Sequence, residues 1–162
     1  MSLGYFNNKR GVTFTELAVV VTILGIMGVL MIPGIGNWLR HYRLRGAASD
    51  MASKLQAARM EAITNRFDYR VTVTTSSNFP GGKYVIERHS GGVWRPANTI
   101  APNGTVSMNE YKDVRIASVN GANPIIFSPN GTVNNSSTIQ FINRKNESRS
   151  VNITIAGRIR VP

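Results

Sequence analysis

The chain has 162 residues, with 19 Lys and Arg against 8 Asp and Glu, a formal net charge of +11 and no cysteine. That length allows one modest domain plus an anchor, and the missing cysteines exclude disulfides, thiol chemistry, thiolate metal sites and a lipid-carrying cysteine. The basic excess is mostly Arg and points to polyanions such as DNA, anionic head groups or surface polysaccharide, with a merely soluble face as the plain alternative.

The chain opens with Lys9 and Arg10, then Gly11-Val12-Thr13-Phe14-Thr15-Glu16, then an apolar run from Leu17 to Leu39 that holds no Asp, Glu, Lys or Arg. As a helix that run would be roughly 34 Å long, enough to cross the hydrocarbon core of a bilayer. Gly25, Gly28, Pro33, Gly34 and Gly36 interrupt it, as such residues commonly do in membrane helices. It is too long for a secretory signal, and no clean small-x-small cleavage site follows it. Glu16 at its head is costly in hydrocarbon and calls for a compensating partner.

The stretch Lys9-Arg10-Gly11-Val12-Thr13-Phe14-Thr15-Glu16, followed by Leu17-Ala18-Val19-Val20-Val21, strongly resembles the class III signal of type IV pilins and type II secretion pseudopilins. The resemblance implies a prepilin peptidase that cuts after Gly11 and N-methylates Val12, a position where the family usually has Phe. It implies a leader over residues 1–11, a transmembrane and assembly helix over 12–39, and a basic periplasmic or extracellular domain over 40–162. Glu16 would pair with the N-terminal amine of a neighbouring subunit, and Pro33 would be the family's helix-kinking proline. The precursor would sit in the bacterial inner membrane, N-terminus cytoplasmic, before joining a filament of other pilin or pseudopilin subunits. A carboxylate in hydrocarbon is tolerable when a neighbour supplies an ammonium, and the pair then selects register. The plain alternative is a membrane helix that tolerates Glu16 near the interface. Lys9 and Arg10 face Arg40, Arg43 and Arg45 across the run, a count that leans against a cytoplasmic N-terminus, so orientation rests on the resemblance.

Beyond the run, Leu44, Ala47, Ala48, Met51, Leu55, Ala58, Ala62 and Ile63 recur at three- and four-residue spacing, with Asp50 and Lys54 as an i,i+4 pair on the polar side. This predicts one long helix from Thr13 to Asn65, with a break near Pro33-Gly34, apolar all round in its first half and amphipathic in its second. After Asn65 the period changes to two: Val71 and Val73, Tyr84 and Ile86, Val114 to Val119, Ile125 to Phe127, Ile139 to Ile142, Val151 to Ile155 and Ile159 to Val161. Gly91-Gly92, Asn103-Gly104, Asn120-Gly121 and Asn130-Gly131 punctuate these runs. The fold expected is α+β: a type IV pilin-like long N-terminal helix packed on a mostly antiparallel sheet.

The C-terminal half resembles the GspH/FimT branch of minor pilins and pseudopilins, through Ile126-Phe127-Ser128-Pro129-Asn130-Gly131-Thr132, Ile139-Gln140-Phe141 and Val151 to Val161. In the FimT-like part of that branch a terminal Gly-Arg-x-Arg motif is associated with DNA binding in natural transformation, and Gly157-Arg158-Ile159-Arg160 matches it. Arg158 and Arg160 are two apart, so on a strand they point the same way with Cα atoms roughly 6.6 Å apart, a spacing suited to neighbouring phosphates without base reading. A three-residue loop Ile155-Ala156-Gly157, with Gly157 left-handed, would set Ile153 against Ile159 and Val151 against Val161 on the buried side, and Thr154 against Arg158 and Asn152 against Arg160 on the wet side. Arg149, Arg144 and Lys145 would extend the patch. The plain alternative is two exposed arginines on a solvated strand. The other function this family suggests is that of a tip pseudopilin in type II protein secretion.

His41 and His89 lack metal-ligand spacing, the eight acids form no locatable pair, and no nucleophile-elbow or phosphate-loop pattern occurs. The expectation is a chain without enzymatic activity and without a cofactor.

Overall fold

The computed structural model describes residues 11–162, and of residues 29–35 the backbone alone. The expectations on Lys9 and Arg10, and on the side chain of Pro33, lie outside the described residues. The chain divides into two units, Met1–Trp38 and Leu39–Pro162.

Helix α1 is a single element, Phe14–Asn65, and it continues through Pro33-Gly34, where a break was expected. Its start is local chemistry: the Thr13 hydroxyl accepts from the Glu16 amide at 3.3 Å and the Thr13 carbonyl accepts from Leu17 at 3.1 Å. Glu16 is therefore the third residue of the helix, where its charge also suits the positive end of the helix dipole. In the first unit Leu17, Val19, Val20, Ile23, Leu24, Ile26 and Met27 are all exposed on this helix. Among the described residues no helix is long and apolar enough to cross a membrane; the apolar run of the sequence passes through 29–35, whose side chains are outside the description.

In the second unit α1 turns amphipathic. Leu44, Ala47, Ala48, Met51, Leu55, Ala58 and Ala62 are buried, while Ile63, expected in the same stripe, stands at the rim and is 42% exposed. The helix ends where Arg66 takes a left-handed φ of 57°. The Asp50–Lys54 pair is made at 3.4 Å.

Nine strands follow, in two sheets where one was expected. The first sheet comprises β1 (Tyr69–Thr74), β2 (Lys83–Ser90), β3 (Val93–Pro96), β4 (Thr105–Ser107) and β6 (Ile125–Phe127), ordered β3-β2-β1-β6 with β4 also on β2. The second comprises β5 (Val114–Gly121), β7 (Ser137–Asn143), β8 (Ser148–Ile153) and β9 (Ile159–Arg160), ordered β5-β7-β8-β9. Every strand pair within them is antiparallel. Isolated bridges at Gly81–Arg115 and Phe127–Val133 lie outside these ladders. Strands β3 and β4 are additions to the expected set. Four residues ending in Pro and three residues of Thr-Val-Ser are too short to show an alternation, and Pro belongs on an edge strand.

The core lies between the apolar stripe of α1 and the inner faces of both sheets, with Tyr69, Tyr84, Phe127, Phe141, Met51 and Leu55 among its largest members. Polar ties fasten the helix to the sheets: Arg43 to Asp113 at 2.7 Å, His41 to Glu147 at 3.2 Å, and the Tyr84 hydroxyl donating to Asp50 at 3.4 Å. Arg43 is thus committed inside the domain.

Candidate nucleic-acid interface

The Gly-Arg-x-Arg segment is placed by the β8–β9 hairpin. Gly157 has a φ of 75°, and its amide donates to the Thr154 carbonyl at 2.8 Å. The Thr154 amide donates to the Arg158 carbonyl at 3.0 Å, and the Arg158 amide donates to the Thr154 hydroxyl at 3.3 Å. The ladder then pairs Ile153 with Ile159 and Asn152 with Arg160. This is the three-residue-loop register read from the sequence, except that pairing stops at Arg160 and Val161 is exposed rather than set against Val151.

The hairpin is held from beneath by a residue that sequence reading passed over. Arg59 of α1 donates from Nε to the Gly131 carbonyl at 2.9 Å and from Nη2 to the Ala156 carbonyl at 3.4 Å. The Val133 amide donates to the Ile155 carbonyl at 2.8 Å. The turn Ser128 to Thr132 and the turn Thr154 to Arg158 are therefore locked together over the helix. Gly157 must be glycine on two counts, since a Cβ there would collide with the Gly131 carbonyl and with Arg59.

Arg158, just before edge strand β9, and Arg160, on it, are both exposed and flank the half-buried Ile159. Among the described residues neither guanidinium has a hydrogen-bond or ion-pair partner. The Asn152 side-chain oxygen, on the strand position opposite Arg160, is buried and also unbonded. Two unneutralised planar cations two residues apart are suited to successive oxyanions, each held through parallel N–H donors.

The other three expected members do not join this pair. Arg149 shares a strand face with the buried Val151 and Ile153, so it lies on the helix side of β8. There it donates to the Pro162 carbonyl at 3.0 Å and lines a cleft of about 330 Å³ with Arg45 and Ser49. Arg144 and Lys145 sit at the β7–β8 turn, at the opposite end of β8 from the β8–β9 hairpin, roughly 17 Å away by strand rise. Arg144 is engaged there, 3.5 Å from Asp113 and donating to the Phe79 carbonyl at 3.3 Å, with Arg144 and Arg115 both over the Phe79 ring. Among the described residues no group of His, Cys, Asp and Glu is arranged to hold a metal.

Residues 47–157 match the family described as Type II transport protein GspH. The chain belongs to the GspH family. Solved structures similar to this GspH-family chain include the minor pseudopilin EpsH from the type 2 secretion system of Vibrio cholerae, at 13% identity and a TM-score of 0.59, over 74% of this chain and 96% of that one. They also include the type IV minor pilin FimU of Pseudomonas aeruginosa (strain PAO1), at 20% identity and a TM-score of 0.56, over 77% of this chain and 92% of that one. At such identities the likeness shows the shared pilin-like fold. No curated protein matches the chain by sequence. Family and fold agree on a GspH-family chain with a pilin-like fold.

Proposed function

We propose that this GspH-family chain is a minor pilin of a type IV pilus that binds DNA nonspecifically through phosphate contacts and supports DNA uptake in natural transformation. The observation that carries the reading is the exposed, unpartnered pair Arg158 and Arg160, held by the β8–β9 hairpin in a chain of net charge +11. Phosphate contacts of this kind supply affinity without sequence choice. The chain would be cut by the prepilin peptidase after Gly11, methylated at Val12 and anchored in the inner membrane by residues 12–39. It would join other pilin subunits through Glu16. The exposed apolar face from Leu17 to Met27 supports an anchor and assembly role, because so much apolar surface needs lipid or protein to cover it. Replacing Arg158 and Arg160 by Ala should lower transformation frequency while filament assembly continues; transformation at the wild-type level would refute the role in uptake.

A second reading is favoured by the family description and by the likeness to EpsH. In it the chain is a minor tip pseudopilin of a type II protein secretion system, and its basic face meets acidic partner subunits. Co-purification with pseudopilins, together with no shift of labelled DNA, would decide for that reading.

A further inference from the structure

A second pair of arginines stands at the other side of the same unit. Arg88 of β2 is directly opposite Arg95 of edge strand β3. Both are exposed, and among the described residues neither guanidinium has a hydrogen-bond or ion-pair partner. Like charges opposite each other across two strands are destabilising, so the pair is not there to hold the sheet together. Arg88 lines a cleft of about 140 Å³ with Pro96, Ala97, Asn98 and Thr99, which adds an amide and a hydroxyl to the charge.

The two arginine pairs are connected by one lateral row. Arg95 pairs with Arg88, Arg88 with Tyr69, Tyr69 with Phe127 and Phe127 with Val133, and Val133 bonds Ile155 at the head of the β8–β9 hairpin. Five lateral steps of about 4.8 Å span roughly 24 Å, the length of about seven nucleotide steps along a strand of duplex DNA. The end of α1 lies along this row, bringing Arg59 to Ala156 and Glu61 to the Tyr69 hydroxyl, with Arg66 just beyond it. The acids on the row are Glu61, bonded to Tyr69 and Asn65, and Asp68, so cations outnumber them.

We propose that Arg88 and Arg95, with Asn98 and Thr99 beside them, form a second phosphate-binding site that holds the DNA backbone at the far end of the row from Arg158. This rests on the DNA-binding reading above and deepens it: the backbone is held at two places, by an arginine pair at each end of a row whose middle members, Tyr69, Phe127 and Val133, are buried.

The test measures DNA affinity of the full chain in nonionic detergent by fluorescence anisotropy across salt concentration. The wild type, Arg88→Gln/Arg95→Gln, Arg88→Lys/Arg95→Lys and Arg158→Ala/Arg160→Ala are compared. Removing two phosphate contacts should lower the log–log salt slope by about 1.8 and weaken binding about tenfold at low salt. The Lys pair should restore the slope, and the Gln pair should melt no lower than the wild type because a repulsion is gone. If the Gln pair keeps wild-type affinity and slope while the Ala pair loses both, the second site is refuted and the first stands. The same holds if the Gln pair binds DNA normally but loses an acidic partner subunit on co-purification. If the wild type itself does not bind DNA, the reading beneath falls, and the second site with it.

Discussion

At residue scale the hairpin of the candidate site depends on one backbone conformation. Gly157 sits at φ 75°, where an L side chain is strained, and the space a Cβ needs is taken by the Gly131 carbonyl and Arg59. Gly157→Ala should destabilise the domain by about 1–3 kcal/mol, read as a lower urea midpoint, and should displace Arg158 with the turn. An unchanged midpoint would mean that the two turns are not locked as described. The glycine and both arginines were legible in the sequence, because a Gly-Arg-x-Arg segment next to alternating Val and Ile carries its own register. Arg59 was not legible. Its acceptors are backbone carbonyls of Gly131 and Ala156, which lie 72 and 97 residues away, and no side-chain pattern marks a carbonyl. Arg149 was misplaced because its neighbour in sequence, Ser150, is the residue that shares a strand face with Asn152 and the wet side.

At element scale the amphipathic half of α1 and the strands it covers share one buried interface, and Tyr84 on β2 reports on it. Burial against the helix, reinforced by the Asp50 carboxylate, pushes the Tyr84 phenol well above its ordinary value near 10. The folded state therefore keeps a proton that the unfolded state gives up. Stability from this group is full below about pH 10 and is lost as pH rises beyond it. Tyr69 and Tyr111 shift in the same direction, chiefly by burial, so the wild type should lose stability steeply from pH 10 to 11. Tyr84→Phe should show a shallower loss over that interval in urea midpoints; identical slopes would argue that the phenol is hydrated. Helix and strands were readable because periods of 3.6 and 2 follow from burial on one face. The split into two sheets was not readable. It is made by strand order, with β6 returning to β1 and β7 to β5, and such pairings leave no local mark.

At the scale of the whole molecule the two units differ. The first is an exposed apolar helix with Glu16 in its first turn, where the proposal puts processing at Gly11 and Val12 and assembly at Glu16; the second carries the arginine pairs. Mass spectrometry of the mature protein should find a chain beginning at N-methylated Val12. A start at Met1, or a cut beyond Pro33, would contradict a pilin-type precursor. The proposal that the second unit holds DNA by its phosphates through Arg158 and Arg160 is tested by the affinity of the wild type and of Arg158→Ala/Arg160→Ala for a nonspecific duplex from 50 to 200 mM salt. Binding that weakens with salt is expected in the wild type, and a slope smaller by about 1.8 in the double variant. A wild type that does not bind, or a double variant with the same slope and affinity, would contradict it.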